Sequence, residues 1–141
     1  MFYKPMLLPL LAQVFLTFGV WGWLYVTRIR EMKLKRIDPQ TLNVRTRTQE
    51  LLTDSAGPAN NFMNLLEMPV LFYLALVVSM MLLVQDSVLV VLSWTYVTMR
   101  FVHSLIQCTY NRVMHRFLVY FASCLVLLLI WLRLAIYIAM Q

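Results

Sequence analysis

Residues 58–107 read PANNFMNLLEMPVLFYLALVVSMMLLVQDSVLVVLSWTYVTMRFVHSLIQ. Two apolar runs lie on either side of one polar break, Gln85-Asp86-Ser87. The run from Met68 to Val84 holds no charge and, apart from Ser79, no strongly polar residue. A stretch this long and this apolar reads as a membrane span, which takes about 20 residues. A connection this short forces the two spans into an antiparallel hairpin. The expected spans are 58–84 and 87–107.

Two further apolar runs flank the hairpin. Met6 to Thr27 contains 22 residues without a charge. It is too long for the core of a signal peptide, about 7–15 residues, and meets basic residues rather than a small-residue cleavage site. It reads as a retained helix. The fourth span runs from Arg116 to Tyr137, with Phe117 to Leu132 free of charge. The fold class is therefore all-α, a four-helix transmembrane bundle, with residues 1–141 as a single domain. Composition agrees: 62% of the 141 residues are hydrophobic and 13% charged, about half the charged share of a soluble domain. Four spans use roughly 80 residues, which leaves no room for a separate soluble domain.

Residues 28–57 form the long polar connection. Asp38-Pro39 is a helix start, with Asp as N-cap and Pro at the first helical position. Leu42, Leu51 and Leu52 suggest a short interfacial helix. The connection also sets the orientation. Of twelve Lys and Arg, ten lie on the side of this loop and of the turn near Asn111, and only Lys4 and Arg133 lie on the other. The positive-inside rule makes the basic side cytoplasmic and puts both termini outside. The net charge of +6 then belongs to topology and to attraction for anionic lipid headgroups, not to nucleic acid. Cys108 and Cys124 lack metal or redox spacing and read as small packing residues; no metal is expected.

Ionisable residues at membrane depth mark functional sites by default. Asn60, Asn64 and Glu67 share one helical face at i, i+4, i+7, and Arg100, His103 and Gln107 share another at i, i+3, i+7. Arg112 and Arg116 stand at i, i+4 where the fourth span begins. Counted from Asp86, Glu67 and Arg100 differ in depth by about 7 Å, within reach of an arginine side chain. An intramembrane Glu67–Arg100 ion pair is expected. Asn64 suits an interhelical hydrogen-bond clamp, His103 a polar residue near the interface, and Arg112 and Arg116 snorkelling anchors. Together they outline a cationic pocket on the cytoplasmic side. Guanidiniums bind carboxylates as a bidentate fork, and a nearby cation lowers a thiol pKa. No pair of carboxylates, nucleophile–base arrangement or glycine-rich phosphate loop is present. Four short helices wall off such a pocket poorly, so a site between the subunits of a symmetric oligomer is expected.

The order of these motifs resembles the MAPEG family, the membrane-associated proteins in eicosanoid and glutathione metabolism, and most closely its bacterial members. The motifs are Asn64-Leu65-Leu66-Glu67-Met68-Pro69 and Arg100-Phe101-Val102-His103, followed by Arg116 sixteen residues after Arg100. The resemblance implies a homotrimer in the bacterial inner membrane, with glutathione as co-substrate between neighbouring subunits. It implies that Asn64, Glu67, Arg100 and His103 line the glutathione site, with Arg112 close by. It also implies that Arg116 stabilises the thiolate, as catalytic residue of a glutathione-dependent transferase or peroxidase. The partners would be membrane lipids and lipophilic electrophiles or hydroperoxides. Glutathione-using members differ at Asn60, Phe62 and Met63, where arginine or histidine is usual, and at Gln107, where tyrosine is. The alternative is a non-catalytic scaffold or lipid-binding protein on the same fold.

Overall fold

The computed structural model describes residues 4–140. Among the described residues the chain forms six α-helices, one 3-10 turn and no strand. The helices are α1 (Lys4–Lys35), α2 (Arg45–Leu51), α3 (Ala56–Leu65), α4 (Met68–Met81), α5 (Ser87–Cys108) and α6 (Val113–Ala139). Four segments are long and apolar enough to cross a membrane: α1, α3 with α4, α5, and α6. Residues 1–3 and 141 lie outside the description, so the expectation for the extreme chain ends is not addressed by it.

α5 and α6 form the most extensive helix pair, α1 packs on α3, α4 and α5, and α4 packs on α6. The core at the hairpin end is built from Phe72, Leu76, Leu89, Tyr96, Ile130 and Leu134, all at most 1% exposed. Phe72 and Tyr96 stack with ring centroids 4.5 Å apart. Outward faces are as apolar as the interior: Phe15 is 71% exposed and Leu128 54%. Water would penalise such a surface heavily, whereas hydrocarbon does not. The chain is a multi-pass integral membrane protein.

Span two departs from the expected single helix over 58–84. It breaks at Leu66-Glu67, and α4 begins at Met68 with Pro69 in its first turn. Pro69 has no N–H to donate, and its ring crowds the carbonyl four residues earlier, at Leu65. α3 therefore stops at Leu65, and the backbone is re-aimed through Glu67 (φ −94, ψ −99). The helix also ends earlier than expected, at Met81. There the Val84 N–H reaches the Ser79 carbonyl (2.9 Å), with Leu83 at φ 53 between them. This is a Schellman closure. The Asp86 carboxylate then accepts the Val88 N–H (2.8 Å) and starts α5, as an N-cap should.

The connection behaves largely as the sequence indicates. Asp38 accepts from the Gln40 N–H (2.9 Å) and caps the 3-10 turn Pro39–Leu42; α2 is the short helix that follows. One anchor is not evident in the spacing. Glu31, 3% exposed, accepts from the Asp54 N–H (2.9 Å), the Ser55 N–H (2.9 Å) and the Ser55 hydroxyl (2.8 Å). It also pairs with Lys35. A carboxylate with four donors fastens the end of α1 to the start of α3.

Candidate functional site

The break in span two creates the site's first element. α3 ends with carbonyls that lack an intrahelical partner, as every helix does. The Arg100 Nη2 donates to one of them, the Asn64 carbonyl, at 2.7 Å. A cation at a helix C-terminus is favoured by the dipole as well as by the bond. This replaces the expected Glu67–Arg100 ion pair. Glu67 is exposed and makes no ion pair among the described residues; it sits in the break between α3 and α4 rather than on a continuous helical face. The depth matching was sound, but the acceptor is a backbone carbonyl one turn away.

Arg100 is 0% exposed, and its Nε and Nη1 have no partner. Its guanidinium carbon sits 5.1 Å from the centre of the Tyr120 ring. The His103 ring lies 5.6 Å from the same tyrosine, and its Nδ1 is also buried and unpartnered. Tyr120 on α6 therefore bridges the two α5 residues. It falls four residues after Arg116, on one face of α6. Arg116 lies about 6 Å further toward the basic end and is partly exposed. Its Nη1 donates to the Asn111 Oδ1 at 2.9 Å. Asn111 is itself set by the turn: it adopts φ 46, closing α5 through its N–H to the Ile106 carbonyl (2.8 Å). Asparagine tolerates this left-handed region better than most residues. The turn thus delivers a side-chain acceptor to the arginine. Arg112, at the N-cap of α6, is exposed and stands outside this group.

A second polar set joins α3 to α5. The Asn64 Nδ2 donates to the Gln107 Oε1 (3.1 Å), the interhelical clamp anticipated for Asn64. Asn61, 0% exposed, accepts from the Ser104 hydroxyl (3.2 Å) and donates to the Cys108 sulfur (3.4 Å). Gly57 lets the helices approach this closely: a Cβ there would lie 2.7 Å from the Gln107 carbonyl oxygen. Asn61, Ser104 and Tyr120 do not stand out in the sequence reading of this region. Their signal was present as i, i+4 steps from Gly57, Arg100 and Arg116.

The structure therefore brings together Asn64, Arg100, His103 and, one turn outward, Arg116. Glu67 and Arg112 are exposed, and neither makes an ion pair or side-chain hydrogen bond with them among the described residues. The cluster offers guanidinium donors facing no carboxylate, an imidazole, and a phenol ring between them. Such a set can hold an anion. No group of metal-ligating side chains occurs among the described residues.

Comparison with curated proteins and with solved structures gives no match. The MAPEG family model matches residues 6–136. That span includes nearly all of the four apolar segments and every residue of the cluster, and the chain belongs to the MAPEG family.

Proposed function

We propose that this protein is a membrane-embedded, glutathione-dependent transferase or peroxidase acting on lipophilic electrophiles or hydroperoxides. Family membership supports a glutathione-related activity of this kind. The observation that carries the reading is the buried Arg100, whose charge meets no carboxylate and whose Nε and Nη1 have no partner. A guanidinium in that state is arranged for an anion that arrives from outside the subunit.

In this reading Arg100 and His103 hold the anionic peptide. Arg116, closer to the basic end, stabilises the thiolate. Moving a thiol from its ordinary pKa of about 8.5 toward neutrality takes roughly 2 kcal/mol, within the range of one partly desolvated arginine. The thiolate sulfur attacks an electrophilic carbon, a C–S bond forms, and the leaving group departs with the electron pair. With a hydroperoxide, the sulfur attacks the terminal oxygen and the O–O bond breaks. The alkoxide takes a proton, and a second glutathione converts the sulfenic product to disulfide and water. Glu67 and Arg112, exposed and without an ion-pair partner within the described residues, complete the site at the contact with a neighbouring subunit of a homotrimer. The basic side faces the cytoplasm, where glutathione is abundant, in the bacterial inner membrane.

A second reading, a non-catalytic scaffold, is favoured by the Asn64 amide, which is spent on Gln107 inside the subunit. Conjugation of glutathione to a chloronitrobenzene separates the two. The catalyst reading expects turnover by wild type and its loss in Arg116→Ala. No turnover by wild-type protein at millimolar glutathione would remove it.

A further inference from the structure

The short turn between α5 and α6 is braced by side chains as well as by backbone. Asn111 sits in it at φ 46. Its N–H closes α5 on the Ile106 carbonyl (2.8 Å). Its side chain closes the start of α6, where Oδ1 accepts from the Arg116 Nη1 (2.9 Å). The Arg116 backbone is fixed in turn by its N–H to the Arg112 carbonyl (3.0 Å). A second contact spans the same five-residue step: the Tyr110 hydroxyl lies 3.4 Å from the His115 Nδ1, with the two rings edge to face at 6.0 Å. Glycine is the usual residue at a left-handed helix end, with asparagine second. Asparagine adds what glycine lacks, an acceptor that reaches across the turn.

That acceptor is neutral. Lys35 is held by the carboxylates of Glu31 and Asp54, and Arg133 by that of Asp86. Arg116, like Arg100, is held by an uncharged oxygen. No Asp or Glu follows Asp86 in the sequence, whereas Arg112, His115 and Arg116 crowd this turn. A carboxylate would fix an arginine equally well, but its opposite charge would offset the field that lowers a thiol pKa. An untethered arginine keeps its field and spreads it over many rotamers. An amide oxygen does neither: it orients the guanidinium and leaves its charge whole. One Nη1 donor is used, and a guanidinium has four further N–H groups to offer.

Resting on the glutathione-dependent reading, we propose that Asn111 is a positioning residue, whose amide oxygen aims the Arg116 guanidinium at the glutathione sulfur while leaving that charge unneutralised. It acts through Arg116 rather than on the sulfur. The left-handed turn is what lets one residue both end α5 and orient the arginine of α6.

The test follows the ultraviolet thiolate absorbance of glutathione, bound at saturation to the detergent-solubilised full chain, across pH in wild type, Arg116→Ala, Asn111→Asp and Asn111→Gly. Aspartate tolerates the left-handed conformation as asparagine does, and glycine adopts it freely, so both Asn111 variants should melt close to wild type. If Asn111 served the turn alone, both would also titrate as wild type does. A positioning role predicts otherwise. Asn111→Asp keeps the hydrogen bond but neutralises the arginine, and should move the thiol pKa at least halfway from the wild-type value to that of Arg116→Ala. Asn111→Gly releases the arginine, and should lower the thiolate fraction at neutral pH about threefold, the worth of one exposed hydrogen bond. A wild-type titration in Asn111→Asp, alongside a raised thiol pKa in Arg116→Ala, would overturn the proposal and leave the catalytic reading standing. No shift in Arg116→Ala would remove both.

Discussion

Replacing Arg100 with methionine should leave the protein as stable as wild type, or more so, while abolishing glutathione binding. The substitution removes one hydrogen bond from a charged donor to the Asn64 carbonyl, worth about 2 kcal/mol. It removes a cation–π contact with Tyr120 at 5.1 Å, worth about 1 kcal/mol. Against that loss of about 3 kcal/mol stand two buried donor nitrogens without partners. Each such group costs about 1–3 kcal/mol, and more when charged, so their removal returns about 2–6 kcal/mol. Apolar replacements of buried charges are commonly neutral or stabilising for this reason. The Asn64 carbonyl stays at a helix end, where water or a tightened last turn can serve it. Thermal unfolding of the purified protein in detergent, with glutathione titration by calorimetry, reads both quantities. A melting temperature well below wild type would show that Arg100 is retained for structure. Unchanged glutathione affinity would show that its free donors serve no ligand.

Three further outcomes follow from the packing and the caps. Gly57→Ala should destabilise the bundle by about 1–3 kcal/mol, because its Cβ would meet backbone, the Gln107 carbonyl oxygen, at 2.7 Å. Gly19→Ala, with nothing within 4 Å, should be neutral or gain helix propensity; equal melting temperatures for the two variants would contradict this. Asn61→Leu should cost about 1 kcal/mol, measured by unfolding, because it strands the Ser104 and Cys108 partners. The Asp86 carboxyl is pushed up by burial, but hydrogen bonds from Arg133 and the Val88 N–H outweigh this and hold it below its ordinary 3.8. Its contribution is therefore full above pH about 4 and fades as the pH falls through the lower folded-state value. Wild type should exceed Asp86→Asn in stability at neutral pH and converge with it in acid; a constant gap would count against the pairing.

The four spans were legible because hydrocarbon thickness and apolar run length leave little freedom. The cap at Asp38 and the start of α5 at Ser87 were legible too; the Asp86 carboxylate was read only as part of a turn, and its capping role came from the structure. The break at Leu66-Glu67 was only half legible. Pro69 announced a kink, but a single missing N–H does not say whether a helix bends or stops. That ambiguity decided the fate of Glu67, which falls in the break and makes no ion pair among the described residues. Arg100 was found by its depth and its partner mistaken, because periodicity ranks side chains and cannot show which carbonyls a break sets free. Tyr120 read only as a packing or interfacial aromatic, because an aromatic in an apolar span carries no other signal until an opposing helix places a cation over it.

The central claim is that Arg116 stabilises a bound thiolate. The direct measurement is the ultraviolet thiolate absorbance of glutathione bound to the purified protein, followed across pH for wild type and Arg116→Ala. The account predicts that wild type titrates well below the ordinary thiol value of about 8.5, and that the variant binds glutathione but returns its thiol to that value. Identical titration curves for the two proteins would contradict it.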